Sequence, residues 1–205
     1  MGEHPALKNL YESVVAGTFK WDRWGLLGAL SDCILSYVDG NILEIGCGES
    51  SIYFSKLAEK YNRKCFHVEF SKSGVTNMKN TTGYFGKNSI VHNVKSDKFF
   101  QDSSTNMRFA LAFIDGDHLY QPVQRDFLNT LNHLVPGGFI FLHDTYPPDE
   151  NWIVEHRCGT VFKLRRHLES LDEFEVFTFP FTAFDVGLTM VRRKENRSWE
   201  NKHGS

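Results

Sequence analysis

Residues 41 to 51, NILEIGCGESS, constrain this chain more than any other stretch. Ile42 to Ile45 form a short apolar run interrupted only by Glu44, and Gly46 and Gly48 follow at once. Beyond the glycines, Phe54, Leu57, Ala58 and Tyr61 fall at i, i+3, i+4 and i+7, one face of a helix. The stretch reads as strand, glycine turn and helix, the opening unit of a nucleotide-binding α/β fold. Glycines there let the backbone turn sharply and approach a ligand closely. Ser50 or Ser51 is placed to cap the helix, whose amide-rich N-terminus faces the same spot.

Glu44 sharpens this reading, because a carboxylate inside an apolar strand needs hydrogen-bond donors. It either ties down nearby backbone amides or sits beside the bound ligand. The next strand, Lys64 to Phe70 (KCFHVEF), carries Glu69 near its end, 23 residues beyond Gly46. An acid at that place in a nucleotide-binding unit accepts hydrogen bonds from both ribose hydroxyls. Phe70 is then placed to lie against the adenine face.

A second informative stretch is Phe109 to Tyr120, FALAFIDGDHLY. Its apolar start reads as a central parallel strand buried on both faces, and it runs directly into Asp115, Gly116, Asp117 and His118. A helix on Val123, Phe127, Leu131 and Leu134 follows, with Pro122 in its first turn and Pro136-Gly137-Gly138 as its stop. The fifth strand, Phe139 to Leu142, is equally apolar and ends in His143-Asp144. Ligands of open α/β sheets sit at the carboxyl ends of the strands. Two adjacent strands ending in Asp and His therefore offer a metal-ligand set, carboxylate-rich and suited to Mg²⁺ or Mn²⁺. A hydrogen-bonded rim without metal is the plainer alternative.

The remaining segments are less specific. Trp24, Leu27, Leu30, Ile34 and Val38 mark an amphipathic helix over 22–38, which packs on the sheet or covers the ligand. Residues 1–20 are mixed, with a short helix expected. A helix over 72–82, a strand over 89–92 and a short helix from Ser96 follow, with 93–96 at the adenine edge. The connection 145–159 contains Tyr146, Trp152 and His156, and its length suits a substrate-covering loop. Another helix lies on Val161, Leu164, Leu168 and Leu171. Strands over 173–179 and 185–192 form a final antiparallel pair, and the tail from Arg193 is polar.

At 205 residues one domain is expected. A net charge of −2 argues against broad nucleic-acid binding. Eighteen phenylalanines fit a large aromatic core. The four cysteines (33, 47, 65 and 158) form no CxxC pair, so reduced thiols and a cytoplasmic setting are expected. No apolar run approaches ~18 residues, so no membrane span is expected.

Taken together, Glu-x-Gly-x-Gly after the first strand resembles the first motif of class I S-adenosylmethionine-dependent methyltransferases. FIDGDHLY followed by PGGFIFLHDTYP is similar to the small-molecule O-methyltransferases of the Methyltransf_24 type, whose layout resembles the divalent-metal-dependent catechol O-methyltransferases. The likeness covers residues 41 to 146. It implies a Rossmann-like class I methyltransferase fold, a seven-stranded, mostly parallel sheet with helices on both faces and an antiparallel C-terminal strand pair. The domain is expected over 41–192, with a helical segment over 1–40 packed on it and a tail over 193–205.

The resemblance also implies a site. S-adenosyl-L-methionine is expected along Glu44, Gly46, Cys47, Gly48, Ser50, Glu69, Phe70 and Asp115. Mg²⁺ or Mn²⁺ is expected on Asp115, His143 and Asp144, although His143 stands where the catechol enzymes have a carboxylate. His118 occupies the position of their Lys general base, with Asp115 and Asp144 as further catalytic residues and Asp117 placed to orient the imidazole. An imidazole with a reference pKa of about 6.5 takes a hydroxyl proton at neutral pH. The expected function is O-methyl transfer to a small hydroxylated acceptor, without nucleic-acid or membrane partners and with a homo-oligomer allowed. A nicotinamide-dependent oxidoreductase and a non-catalytic binding module are the rivals. The first lacks its third glycine, position 51 being Ser51.

Overall fold

A computed structural model describes residues 23–82, 86–102, 107–180 and 186–195. The expectations for 1–20, for the first residue of the strand over 185–192 and for most of the polar tail lie outside the described residues. Within them, seven strands form one sheet: β1 (Asn41–Ile45), β2 (Cys65–Val68), β3 (Ser89–His92), β4 (Phe109–Ile114), β5 (Leu134–Leu142), β6 (Phe174–Phe179) and β7 (Leu188–Arg193). The helices are α1 (Arg23–Tyr37), α2 (Ser50–Lys60), α3 (Lys72–Thr82), α4 (Ser96–Asp102), α5 (Tyr120–Leu131) and α6 (Val161–Glu169).

The spatial order is β3-β2-β1-β4-β5-β7-β6, with β7 antiparallel to both of its neighbours. The chain moves outward from β1 to β3 and then returns to β4, so the strand order reverses between β1 and β4. That reversal opens the crevice in which such sheets bind ligands. The expected doubly covered, mostly parallel architecture is what forms.

Alternation along the strands sorts the core into two layers. Leu43, Ile45, Ala112, Ile114, Ile140 and Leu142 face α4, α5 and α6, where they meet Phe99, Val123, Phe127, Leu164 and Leu168. Ile42, Leu111, Phe113 and Phe141 face the other way, onto Phe54, Leu57 and Ala58 of α2 and onto Leu27, Ile34 and Leu35 of α1. The helix expected over 22–38 therefore packs on the sheet.

Three local expectations change. β5 begins at Leu134 rather than Phe139, and Pro136-Gly137-Gly138 lies inside it. Phe109 pairs with Leu134 but Leu111 pairs with Phe139, so the extra residues loop out as a bulge, with Gly137 at φ +76°. β7 runs through Arg193, and Lys194 N donates to Glu173 O at 2.8 Å, so the ordered domain extends past 192. The connection 145–159 is not structureless: a 3-10 turn spans Glu150–Trp152, and Asn151 N donates to Asp149 Oδ1 at 2.8 Å.

The register carries the fold to the site. Ile45 is level with Val68 on one side and with Ile114 on the other, and Ile114 is level with Leu142. The next residue of each strand, Glu69, Gly46, Asp115 and His143, therefore stands in one row along the carboxyl edge. Gly46 N donates to Val68 O (2.9 Å), Asp115 N to Ile45 O (2.8 Å) and His143 N to Ile114 O (3.2 Å), extending the pairing into that row.

Leu27, 1% exposed, anchors α1 in the second layer. Leu27→Ala is expected to lower unfolding free energy by about 2–5 kcal/mol, read from urea denaturation. A loss under about 0.5 kcal/mol would mean that α1 is not part of the cooperative domain.

Candidate active site

Glu44 is fully buried, and its donors are side chains rather than backbone amides. Ser50 Oγ donates to Oε1 (2.5 Å) and Ser51 Oγ to Oε2 (2.7 Å). His67 Nδ1 lies 2.6 Å from Oε2. The carboxylate only accepts, so the imidazole proton sits on Nδ1. His67 Nε2 then accepts from Ser55 Oγ (3.3 Å), which itself accepts from Ser89 Oγ (2.9 Å). Every group in this chain of bonds has a partner. Ser50 and Ser51 therefore do not cap α2 through their side chains as expected; their hydroxyls turn inward to Glu44. Ser51 Oγ also accepts from Gly48 N (3.2 Å), fastening the glycine turn. Glu44, Cys47 and His67 also lie close enough together to hold an ion, but here the same atoms close a hydrogen-bonded network. Glu44 and Ser50 thus brace the cofactor turn from behind, with no free face toward a ligand.

The two glycines of the turn differ. Gly46 has φ +84°, and a Cβ there would meet the Asp115 carbonyl oxygen at 2.2 Å, so packing against the end of β4 requires glycine. At Gly48 an added Cβ meets nothing within 4 Å, which leaves open space beside the turn. Cys47 N donates to Glu69 Oε2 (3.0 Å) and Ser71 N to Oε1 (2.6 Å). Each Glu69 oxygen thus holds one backbone donor and keeps acceptor capacity for another. The Cys47 thiol is pushed well above the usual range by burial and by Glu44 and Glu69, so it is a neutral wall of the turn.

A cleft of about 410 Å³ opens along this edge. Ile45, Gly46 and Gly116 line one end, Glu69, Phe70 and Ser71 the middle, and Val94 to Asp97 with Pro122, Arg125 and Asp126 the other end. Phe70 is 65% exposed with Lys95 Nζ over its ring, an open apolar face beside Glu69. Asn93 Nδ2 donates to the carbonyls of Glu69 (2.7 Å) and Phe70 (3.1 Å), holding the ends of β2 and β3 together.

The second centre forms where β4 and β5 end. His143 Nδ1 lies 3.1 Å from Asp115 Oδ1 and 3.4 Å from Asp144 Oδ1. His118 Nε2 lies 3.1 Å from Asp144 Oδ2. Asp144 adopts φ +59°, an uncommon conformation for a non-glycine residue, which turns its carboxylate into this group. Burial alone would lower the pKa of His143, but Asp115 and then Asp144 hold it at about 10. In that state His143 donates to the Asp115 carboxylate. Trp24 of α1 stacks on His143 (5.9 Å between ring centroids, 20° between planes), and its Nε1 donates to Glu49 Oε2 (2.8 Å). The N-terminal helix thus reaches the site as well as the core.

Among the described residues, Asp115, His118 and Asp144 have ligand atoms that all lie within 4.8 Å of one another, a grouping that could hold an ion and that contains His118 rather than the expected His143. The Glu155 carbonyl, 3.1 Å from His118 Nδ1, fixes the proton on that nitrogen. Asp117, expected to orient the imidazole, instead accepts from Leu119 N (2.8 Å) and starts α5. The connection after β5 is pinned to the same turn: Thr160 N donates to His118 O (2.7 Å), and Tyr120 N to Thr160 Oγ1 (2.8 Å). A Cβ on Gly159 would meet the His118 carbonyl at 1.9 Å. Cys158, buried, hydrogen-bonds Asp144; burial and then that carboxylate push its thiol up to about 12.

Sequence reading missed His67, Trp24, Glu155 and Cys158. His67 had a signal: level strand ends place it directly opposite Glu44. The others depend on tertiary packing across separate elements.

A family model described as "Methyltransferase domain" matches residues 43–145, half of the chain. Among curated proteins, no sequence relative of significant similarity is found. Solved structures are similar in fold at low identity. The O-methyltransferase TomG from Streptomyces achromogenes, involved in tomaymycin synthesis and in complex with SAM, has TM-score 0.65 and 16% identity, over 95% of this chain and 92% of that one. An O-methyltransferase from Bacillus cereus in complex with SAH has TM-score 0.64 and 16% identity, over 95% and 93%. An rRNA methylase from Streptococcus thermophilus has TM-score 0.57 and 12% identity, over 82% and 96%. The shared fold thus serves different acceptors. No helix among the described residues is long and apolar enough to cross a membrane.

Glu44→Ala leaves His67, Ser50 and Ser51 without their acceptor. The variant is expected to be about 3–5 kcal/mol less stable, as when one partner of a buried pair is removed. Urea denaturation measures it, and a loss below about 1 kcal/mol would show that the network does not hold the turn.

Proposed function

This chain belongs to the methyltransferase-domain family and is an S-adenosylmethionine-dependent methyltransferase, and on that premise we propose that it moves the methyl group to a hydroxyl oxygen of a small acceptor. The observation that carries this reading is the His118–Asp144 pair just beyond the carboxyl ends of β4 and β5. Glu69 accepts the ribose hydroxyls in the middle of the cleft, Phe70 offers its face to the base, and the open side of Gly48 receives the amino-acid end. The sulfonium methyl then points toward the ends of β4 and β5.

His118 Nδ1 is held by the Glu155 carbonyl, so Nε2 is the nitrogen that takes a proton. The acceptor hydroxyl gives its proton to Nε2, and Asp144 Oδ2 stabilises the imidazolium. The oxygen attacks the methyl carbon, the carbon–sulfur bond breaks, and its electron pair stays on sulfur as S-adenosylhomocysteine leaves. Positioning of the oxygen in line supplies much of the acceleration.

A second reading is favoured by the convergence of three ligand atoms within 4.8 Å. A nitrogen lone pair facing a carboxylate accommodates a cation between them, and one nitrogen with two carboxylates suits Mn²⁺, with Mg²⁺ as the harder alternative. Asp115, His118 and Asp144 would hold it, and when bound it would acidify and orient the acceptor hydroxyl.

Two measurements test these readings. Glu69→Ala should weaken S-adenosylmethionine by at least about tenfold in calorimetry, about 1.4 kcal/mol; unchanged affinity would remove Glu69 from the site. Turnover is then followed with labelled cofactor on a panel of small phenols and catechols. His118→Ala should lower kcat by about 10²–10⁴-fold with cofactor affinity nearly intact, and the wild-type rate should survive EDTA. Loss of activity in EDTA with recovery on Mn²⁺ would replace the base reading with the metal reading. Undiminished turnover of His118→Ala would exclude both.

A further inference from the structure

Trp24 lies outside residues 43–145, the stretch that carries the family likeness, yet its ring reaches the end of β5. It is the second residue of α1, and Leu27, three residues on and buried, anchors the same helix face in the core. Gly28 lets α1 come close to α2: a Cβ there would meet Tyr53 Cδ1 at 3.1 Å. The indole is then held from three directions. It meets Phe113 of β4 edge-on (6.2 Å between centroids, 79° between planes) and stacks on His143. Its Nε1 donates to Glu49, the residue between Gly48 and the first turn of α2.

His143 needs such a support. Its Nδ1 faces two carboxylates, Asp115 at 3.1 Å and Asp144 at 3.4 Å, and one N–H cannot point straight at both. An ionised carboxylate only accepts, so Nδ1 carries a proton whether the ring is charged or neutral. Nε2 of the same ring is buried and has no hydrogen-bond partner among the described residues, so no bond on that side fixes the ring. The plane of the imidazole is therefore set by the rings that touch it, Trp24 within 20° of parallel and Phe113 tilted at 60°. We propose that Trp24 is a positioning residue that fixes the His143 ring, so that Nδ1 stays on Asp115 and leaves Asp144 to His118. The proposal rests on the methyltransferase reading and adds to it a residue outside the matched domain.

The consequence falls on the base. Asp144 Oδ2 lies 3.1 Å from His118 Nε2, while its Oδ1 is the oxygen nearer His143. A His143 ring free to swing competes for Asp144 and draws it away from His118. Displacing a catalytic group by about 1 Å costs about 10²-fold in rate. The cofactor contacts at Glu69 and the glycine turn are untouched by that displacement. Trp24→Ala should therefore lower kcat by about 10–10²-fold and leave S-adenosylhomocysteine affinity within about threefold. Trp24→Phe keeps a ring over the imidazole and should recover most of the rate.

The test reads the ring's position and the turnover separately. In protein carrying nitrogen-15-labelled histidine, a His143 Nδ1–H held on a carboxylate gives a downfield proton signal that exchanges slowly with water, and His143→Gln identifies it by its loss. Trp24→Ala should lose this signal to exchange at neutral pH, Trp24→Phe should keep it, and kcat on the phenol and catechol panel should follow the signal. Trp24→Leu, which fills the space without a ring plane, replaces the Ala variant should that one not fold, and should lose the signal too. A signal as persistent without the aromatic ring as with it overturns the proposal, since Trp24 then only packs α1 on the sheet. So does a lost signal with kcat unchanged, or the absence of the signal from wild type. If wild type binds no S-adenosylhomocysteine, the methyltransferase reading fails, while the signal still decides whether Trp24 holds the ring.

Discussion

A carboxylate with no access to water lies behind the cofactor turn, and the rest of the site is built around keeping it satisfied. Glu44 draws Ser50 and Ser51 inward from the first turn of α2 and holds His67 across the strand pair. Those bonds fix where the glycine turn leaves β1. Cys47 N can then reach Glu69, and Gly48 N can reach Ser51. The acid acts on the cofactor through the backbone it positions. Its burial explains why it is acceptable in an otherwise apolar strand: the three donors that surround it replace the water it has lost.

Level strand ends do the remaining alignment. Because Ile45, Val68, Ile114 and Leu142 share one register, the residues after them form a straight row, and ribose acceptor, glycine turn and acid–imidazole group face the same crevice. The second centre needs more than register. His118 is oriented from outside its own turn, by Glu155 and by the backbone of Gly159 and Thr160. Trp24 closes the group from the opposite layer by stacking on His143.

The parallel core was legible in the sequence because its central strands β4 and the end of β5 are apolar runs that end in polar chemistry. Gly46, Glu69, Asp115 and His143 could be placed at one edge for the same reason. What misled was local punctuation. Pro136-Gly137-Gly138 looks like a helix stop and is a bulge, since the strand had already begun at Leu134. Two serines at a helix start look like caps, but a buried acid competes for their hydroxyls. That His118, and not His143, stands with Asp115 and Asp144 in the group of close ligand atoms was not legible. It is decided by a carbonyl 37 residues away and by an interior that surrounds His143 with two carboxylates and an indole.

The connection after β5 is tied at both ends and again at Glu155, whose carbonyl meets His118. Tyr146 N donates to Val186 O (2.7 Å), with Gly187 packed so tightly beneath it that an added Cβ would meet the Tyr146 Cβ at 2.4 Å; at the far end Gly159 and Thr160 are locked to His118. Insertions and deletions between Tyr146 and Val154 would change what stands over the reacting atoms while leaving the anchors on His118 in place. Gene duplicates of such a protein can therefore diversify in the molecules they modify while inheriting the transfer machinery intact. Natural variation in length should then concentrate at positions 148–153, and domain shuffling of that segment between relatives becomes a practical route to new selectivity.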